Sequence, residues 1–309
     1  MADHDNAYSG LLVNDAHWAF GTAPVPDGHG EDPLAGVDTT IPDGTDAATL
    51  GAYALMLGDD ALVMSHRIAA WTSNAPDLED DIALSNIALD LLGQARLLLA
   101  RAARADESIV PVLPEGSPVP AEDALAFFRE AHEFRNVRLA EIANGDFAEV
   151  TVRVLLFSVW RLAVWEQLRA SRDSVLAAVA AKGVKELAYH RDYAARWFVT
   201  LAGGTDESRR RLLGALDALW PLWPELFDAH ATEVAAAASG VGVDPSTVRD
   251  SAEATLDLVF DAAGVQRPEV ARRAGVMGRF GRDGMHDEPL SLLLAEMQSV
   301  ARAHPLGQW

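Results

Sequence analysis

The chain of 309 residues carries 46 acidic against 25 basic side chains, a formal charge of -21 that argues against binding to nucleic acid or to an anionic membrane surface. It has no cysteine, which excludes disulfides, thiolate zinc sites and cysteine-ligated iron–sulfur clusters, so a redox group of that kind would belong to a partner. The length fits two average domains or one large helical bundle. No basic start with an apolar run opens the chain, and Arg153 and Arg161 interrupt the apolar stretch from Val150 to Trp165. A soluble, cytoplasmic protein is the expectation.

Residues 1–48 are rich in Gly, Asp, Pro and Ala without a sustained period, and they read as an irregular N-terminal arm. Its Trp18 and Phe20 predict contact with the protein's own bundle or with a partner, because disordered tails carry few large aromatics. Residues 49–309 read as one all-α bundle. Ala/Leu-rich amphipathic runs predict helices over 49–72, 77–105, 119–142, 145–171, 174–203, 205–238, 246–264 and 285–303. Asn74-Ala75-Pro76-Asp77, Asn144-Gly145 and Gly203-Gly204-Thr205-Asp206 supply stops and caps. Pro221 and Pro224 predict a break in the sixth run. The segment from Val265 to Gly284, with five arginines, is the least regular part of the C-terminal third.

The second run carries Asn86, Asp90 and Gln94 at intervals of four, which sets three polar groups on one stripe among Ile87, Leu91 and Leu98. The stripe either faces inward, with each group partnered, or forms a solvated face; the scarcity of other polar residues nearby favours the inward reading. In the fourth run, Arg161 and Glu166 interrupt a strongly apolar stretch and can pair with each other or with facing helices. The fifth run places Glu186 and His190 one turn apart. That spacing binds metal only when a matching set exists, and a histidine hydrogen-bonded in the core is the commoner case. His286, beside Asp287 and Glu288, reads as a solvated cluster at a helix start.

A di-iron carboxylate bundle needs about four carboxylates and two histidines from four helices, two of which carry Glu-x-x-His. At the corresponding positions this chain has Leu91 with Gln94 and Leu187 with His190. Leucine cannot ligate, and Gln94 is a poor substitute for imidazole on iron. Only Asp90, Glu166, Glu186 and His190, with His66 on the first run, remain near such a centre. A polar network of Asn86, Asp90, Glu166 and Glu186 is expected there in place of metal, with no catalytic, cofactor or metal residue assigned.

Several stretches resemble the non-metal C-type subunits of bacterial ring-1,2-phenylacetyl-CoA epoxidases. They are Leu57-Gly58-Asp59-Asp60-Ala61-Leu62-Val63, Ala75-Pro76-Asp77-Leu78-Glu79, Ile87-Ala88-Leu89-Asp90-Leu91-Leu92-Gly93-Gln94-Ala95-Arg96, Lys185-Glu186-Leu187-Ala188-Tyr189-His190, Leu294-Ala295-Glu296-Met297-Gln298 and the terminal Gln308-Trp309. They span about residues 50–309. The resemblance implies a ferritin-like bundle with additional C-terminal helices, paired with a homologous A-type subunit that carries the di-iron centre and binds the acyl-CoA. It implies further that Leu91, Gln94 and Leu187 replace metal ligands of the A-type subunit while His190 is retained, and that the remaining carboxylate positions fall near Ser65 or His66 and near Ser158. Flavin and an iron–sulfur cluster would belong to a partner reductase. The expectation is therefore a structural, catalytically silent subunit in phenylacetate degradation, docking through the first two runs, including His66, Arg67 and Trp71. Trp71 closing its own core is the plainer alternative. The rival functions are an independent ferritin-like metalloenzyme with a degenerate site and a non-enzymatic ligand-binding bundle.

Overall fold

Short polar side chains start the long helices by accepting from backbone N–H groups that have no partner within the helix. In the computed structural model, which describes residues 32–307, Asp46 caps α1 (Ala47–Ala69), Asp77 caps α2 (Leu78–Ala105), Asp146 caps α5 (Phe147–Leu168) and Asp173 caps α6 (Ser174–Gly203). Between α2 and α5 lie two short helices, α3 (Ala121–Phe127) and α4 (Arg138–Glu141). The C-terminal part adds α7 (Asp206–Leu219), α8 (Ala231–Ala238), α9 (Arg249–Ala263), α10 (Glu288–Met297) and α11 (Ser299–Ala303). Among the described residues there is no strand beyond an isolated bridge between Val276 and Arg279. The all-α expectation holds.

Helices α1, α2, α5 and α6 make the central bundle, with α1 lying along α2 and α5 along α6. Gly58 allows the first of these approaches, since a Cβ there would fall 2.9 Å from the Leu99 side chain. Gly183 does the same for α6, where a Cβ would meet the Trp165 ring nitrogen at 2.4 Å. One continuous apolar core runs from Leu34 to Leu294 and includes Trp160, Trp165 and Phe198. By length and composition α1 and α2 could each cross a bilayer. In the fold they pack on each other, and 78% of the apolar window of α1 is buried.

The run over 119–142 is not one helix. It divides into α3, a 3-10 turn at Ala131–Glu133 and α4. Two adjacent buried carboxylates of α1 account for this. Asp59 accepts from Arg135 N at 2.9 Å and Asp60 from Val137 N at 2.8 Å, so these backbone donors serve α1 instead of a local helical ladder. The sixth run breaks as expected, passing at Trp220–Phe227 into a 3-10 segment that holds both prolines.

The described part of the N-terminal arm lies against the bundle. Leu34 is buried, Arg101 donates to Thr39 O at 2.9 Å and Arg172 donates to Asp43 O at 3.0 Å. Trp18, Phe20 and the terminal Gln308-Trp309 lie outside the described residues. The C-terminal arginine-rich segment is irregular and mostly exposed, yet Arg282 turns inward and is buried.

Candidate functional site in the four-helix core

The spacing of the second and fifth runs brings α2 and α6 side chains together at two levels. Gln94 Nε2 donates to Glu186 Oε2 at 2.9 Å, and His190 Nε2 lies 3.0 Å from Asp90 Oδ2. Gln94 and His190 are buried, Glu186 is half-buried, and the Asp90 carboxyl is one-third exposed at the bundle edge. Leu91 and Leu187 are buried in the apolar core. Two expected members of this polar network do not belong to it. Asn86 is exposed, because it stands on the outer edge of α2, two turns before Gln94. Glu166 is exposed because, five residues past Arg161, it points about 140° away round α5, while Trp165 and Leu168 of the same turn stay buried.

Arg161 is the residue that organises the interior. Its guanidinium is fully buried, donates from Nε to Gln94 Oε1 and from Nη2 to Leu57 O, both at 3.2 Å, and lies 3.9 Å from Asp60 Oδ2. It also stacks 3.9 Å over the Trp165 ring, a favourable placement for a desolvated cation. Burial pushes its pKa down to about 9, which leaves it charged at neutral pH. Of the two pairings expected for it, that with facing helices occurs, on α1 and α2, and that with Glu166 does not.

The polar network continues away from α6 through residues that periodicity did not single out. Asp60 receives Arg282 Nη2 at 2.8 Å, and Arg282 also meets Glu233 at 3.3 Å. Burial raises the pKa of Asp60. Burial lowers that of Arg282, but Asp60 and Glu233 outweigh this and raise it. Asp59 binds Arg129 in a buried pair. The signal for this network was the Asp59-Asp60 dipeptide in the middle of an apolar helix.

His286 is also not in a solvated cluster. Its side chain is buried, with Nδ1 at 2.6 Å from Glu141 Oε2 and Nε2 at 2.9 Å from Phe134 O. The C-terminal segment folds back onto α4, which removes the ring from solvent.

These donors do not fit a di-iron centre. Both Glu-x-x-His pairs lack the glutamate, Ser65 and Ser158 give their hydroxyls to Ala88 O and Leu155 O, and a guanidinium lies among the converging helices. No group of three or more candidate ligands occurs among the described residues. A metal would meet a fixed positive charge and two leucines where it needs anionic oxygen.

The family described as phenylacetic acid catabolic protein matches residues 37–309. The chain belongs to that family. The match reaches back into the described arm, further than the motifs from residue 50 onward. A curated relative from Escherichia coli (strain K12), the C-type subunit of its 1,2-phenylacetyl-CoA epoxidase, is 41% identical over 261 residues, covering 84% of this chain and 99% of the relative. The fold is accordingly the ferritin-like helical bundle of that family.

Proposed function

We propose that this chain is a structural, catalytically silent subunit of a phenylacetyl-CoA epoxidase, holding a di-iron catalytic A-type subunit in its working conformation during aerobic phenylacetate degradation. The observation that carries this reading is Arg161, buried between Gln94 and Asp60 where the bundle helices converge. A bundle stabilised in this way keeps the shape of an oxygen-activating protein without the ligand set for the chemistry. The reducing equivalents would come from a separate reductase carrying flavin and an iron–sulfur cluster. A cytoplasmic setting belongs to the same reading.

Of the two helices expected to dock, α2 is the one this reading favours. Arg67 is tied to Glu141 O and Pro289 O, while Trp71 donates to Gly145 O and stacks on Phe147. Arg67 of α1 and Trp71 in the turn after it serve the chain's own core. Helix α2 is different: only 44% of its apolar window is buried, and Leu78, Ile82 and Leu89 stand exposed along it. Exposed apolar surface of this kind marks interaction sites. Mixing the chain with its A-type partner tests the proposal: co-elution in size exclusion at micromolar concentrations is expected, and separate elution with full oxygenase activity in the A-type partner alone would overturn it.

A further inference from the structure

Where the start of α2 meets the outer face of α6 there is an open cavity of about 290 Å3 that lies apart from the Arg161 network. Its walls include Tyr189, Tyr193 and Trp197, spaced i, i+4 and i+8 along α6, together with Glu79 and Asp80. The Tyr193 hydroxyl and Trp197 Nε1 both donate to Asp80 Oδ1, at 2.9 and 2.7 Å. Trp197 is braced from behind by Phe147 in an edge-to-face contact at 4.9 Å. The Tyr193 and Trp197 rings are therefore held in place before anything binds. Asp80 is only 6% exposed, and burial raises its pKa. Neither Asp80 nor Glu79 has a cationic partner among the described residues.

We infer that this cavity is a receptor for a lysine or arginine side chain presented by the docking partner, an inference that rests on the structural-subunit reading above. Carboxylates set beside aromatic faces recognise cations through charge and ring quadrupoles together. The surroundings point to a protein as the source. Leu78 and Ile82, 70% and 52% exposed, occupy the same first turns of α2, and Tyr189 is 45% exposed beside the cavity. A cationic anchor ringed by apolar contacts is the usual form of a strong interface residue. A partner cation also complements a chain of formal charge -21. Arg196 lies in the same lining and opposes an incoming positive charge, so its removal has a predicted sign.

The test measures the affinity of the full chain for the A-type partner at low and moderate salt, with the fold of each variant checked by circular dichroism. Tyr189→Ala should weaken binding about 10-fold. Glu79→Lys should weaken it at least as much at low salt, and less at moderate salt because the repulsion is screened. Arg196→Ala should leave binding equal or tighter, and Leu258→Asp, at an exposed site on α9, should stay within about twofold. If the complex forms but Tyr189→Ala and Glu79→Lys both stay within about twofold of wild type, the receptor is overturned and the structural-subunit reading stands. Weakening by Arg196→Ala comparable to that by Glu79→Lys would also overturn it, since the cavity would then take an acidic group. Failure of the wild-type chain to bind overturns both.

Discussion

Replacing Arg161 by methionine tests whether the guanidinium holds the bundle interior together. The substitution leaves Gln94 Oε1 without its donor, whereas Leu57 O, inside α1, loses a second donor and keeps its helical bond; both lost bonds are 3.2 Å long. A stranded buried acceptor costs about 1–3 kcal/mol, and bonds of this length belong near the lower end. Asp60 loses an attraction at 3.9 Å but keeps Arg282 at 2.8 Å and Val137 N at 2.8 Å. The change should therefore fall below the roughly 3–5 kcal/mol seen when a buried charge loses its only partner. Relief from burying a cation and apolar packing of methionine on Trp165 offset part of the loss. The expected result is a net destabilisation of about 2 kcal/mol, read as a lower urea midpoint at unchanged slope. Adding Gln94→Leu removes the stranded acceptor, so the double variant should be more stable than the sum of the singles by about 1 kcal/mol. An Arg161→Met protein as stable as wild type, or strict additivity in the cycle, would refute the reasoning.

Three further outcomes are expected. After anaerobic loading with ferrous iron and desalting, the isolated chain should retain well below one iron by elemental analysis; retention of about two per chain would restore the metalloenzyme reading. Gly183→Ala forces a Cβ to 2.4 Å from the Trp165 ring nitrogen and 3.2 Å from Gln94 Nε2. It should cost about 1–3 kcal/mol through overpacking, visible as a lower melting temperature. For His286, burial lowers the pKa but the bond and charge of Glu141 outweigh it, so the folded value lies above the unfolded 6.5. Its stabilisation is then fully present below about pH 6.5 and is lost as pH rises through the folded value. The stability advantage of wild type over His286→Asn should shrink as pH rises above about 6.5, and an advantage growing with pH would contradict the assigned pair.

What was legible in the sequence depended on how local its cause was. Helices α2, α5 and α6 follow from capping aspartates and a sustained apolar period, and the break at Pro221 and Pro224 follows from proline chemistry. The division of residues 119–142 was not legible, because its cause lies on another helix, where Asp59 and Asp60 capture the donors of Arg135 and Val137. Within the candidate site, the four-residue spacing put Gln94 on an inward stripe but did not show that Glu186 of α6 would be its partner. The same spacing drifts by about 40° every four residues, which carries Asn86 about 80° round α2 from Gln94 and out to solvent. Pattern alone could not show that Arg161 would pair with Gln94 and Asp60, since a helix period gives a face and not the partner that meets it. The inward turn of Arg282 and His286 from an irregular segment left no periodic trace.

The most direct test compares oxygenase activity and iron content of the A-type partner, supplied with its reductase, in the presence and absence of this chain. Phenylacetyl-CoA turnover should require the chain, while iron per A-type partner stays the same whether or not the chain is bound. Full turnover by the A-type partner alone, or an additional pair of irons entering with this chain, would contradict a structural and catalytically silent role.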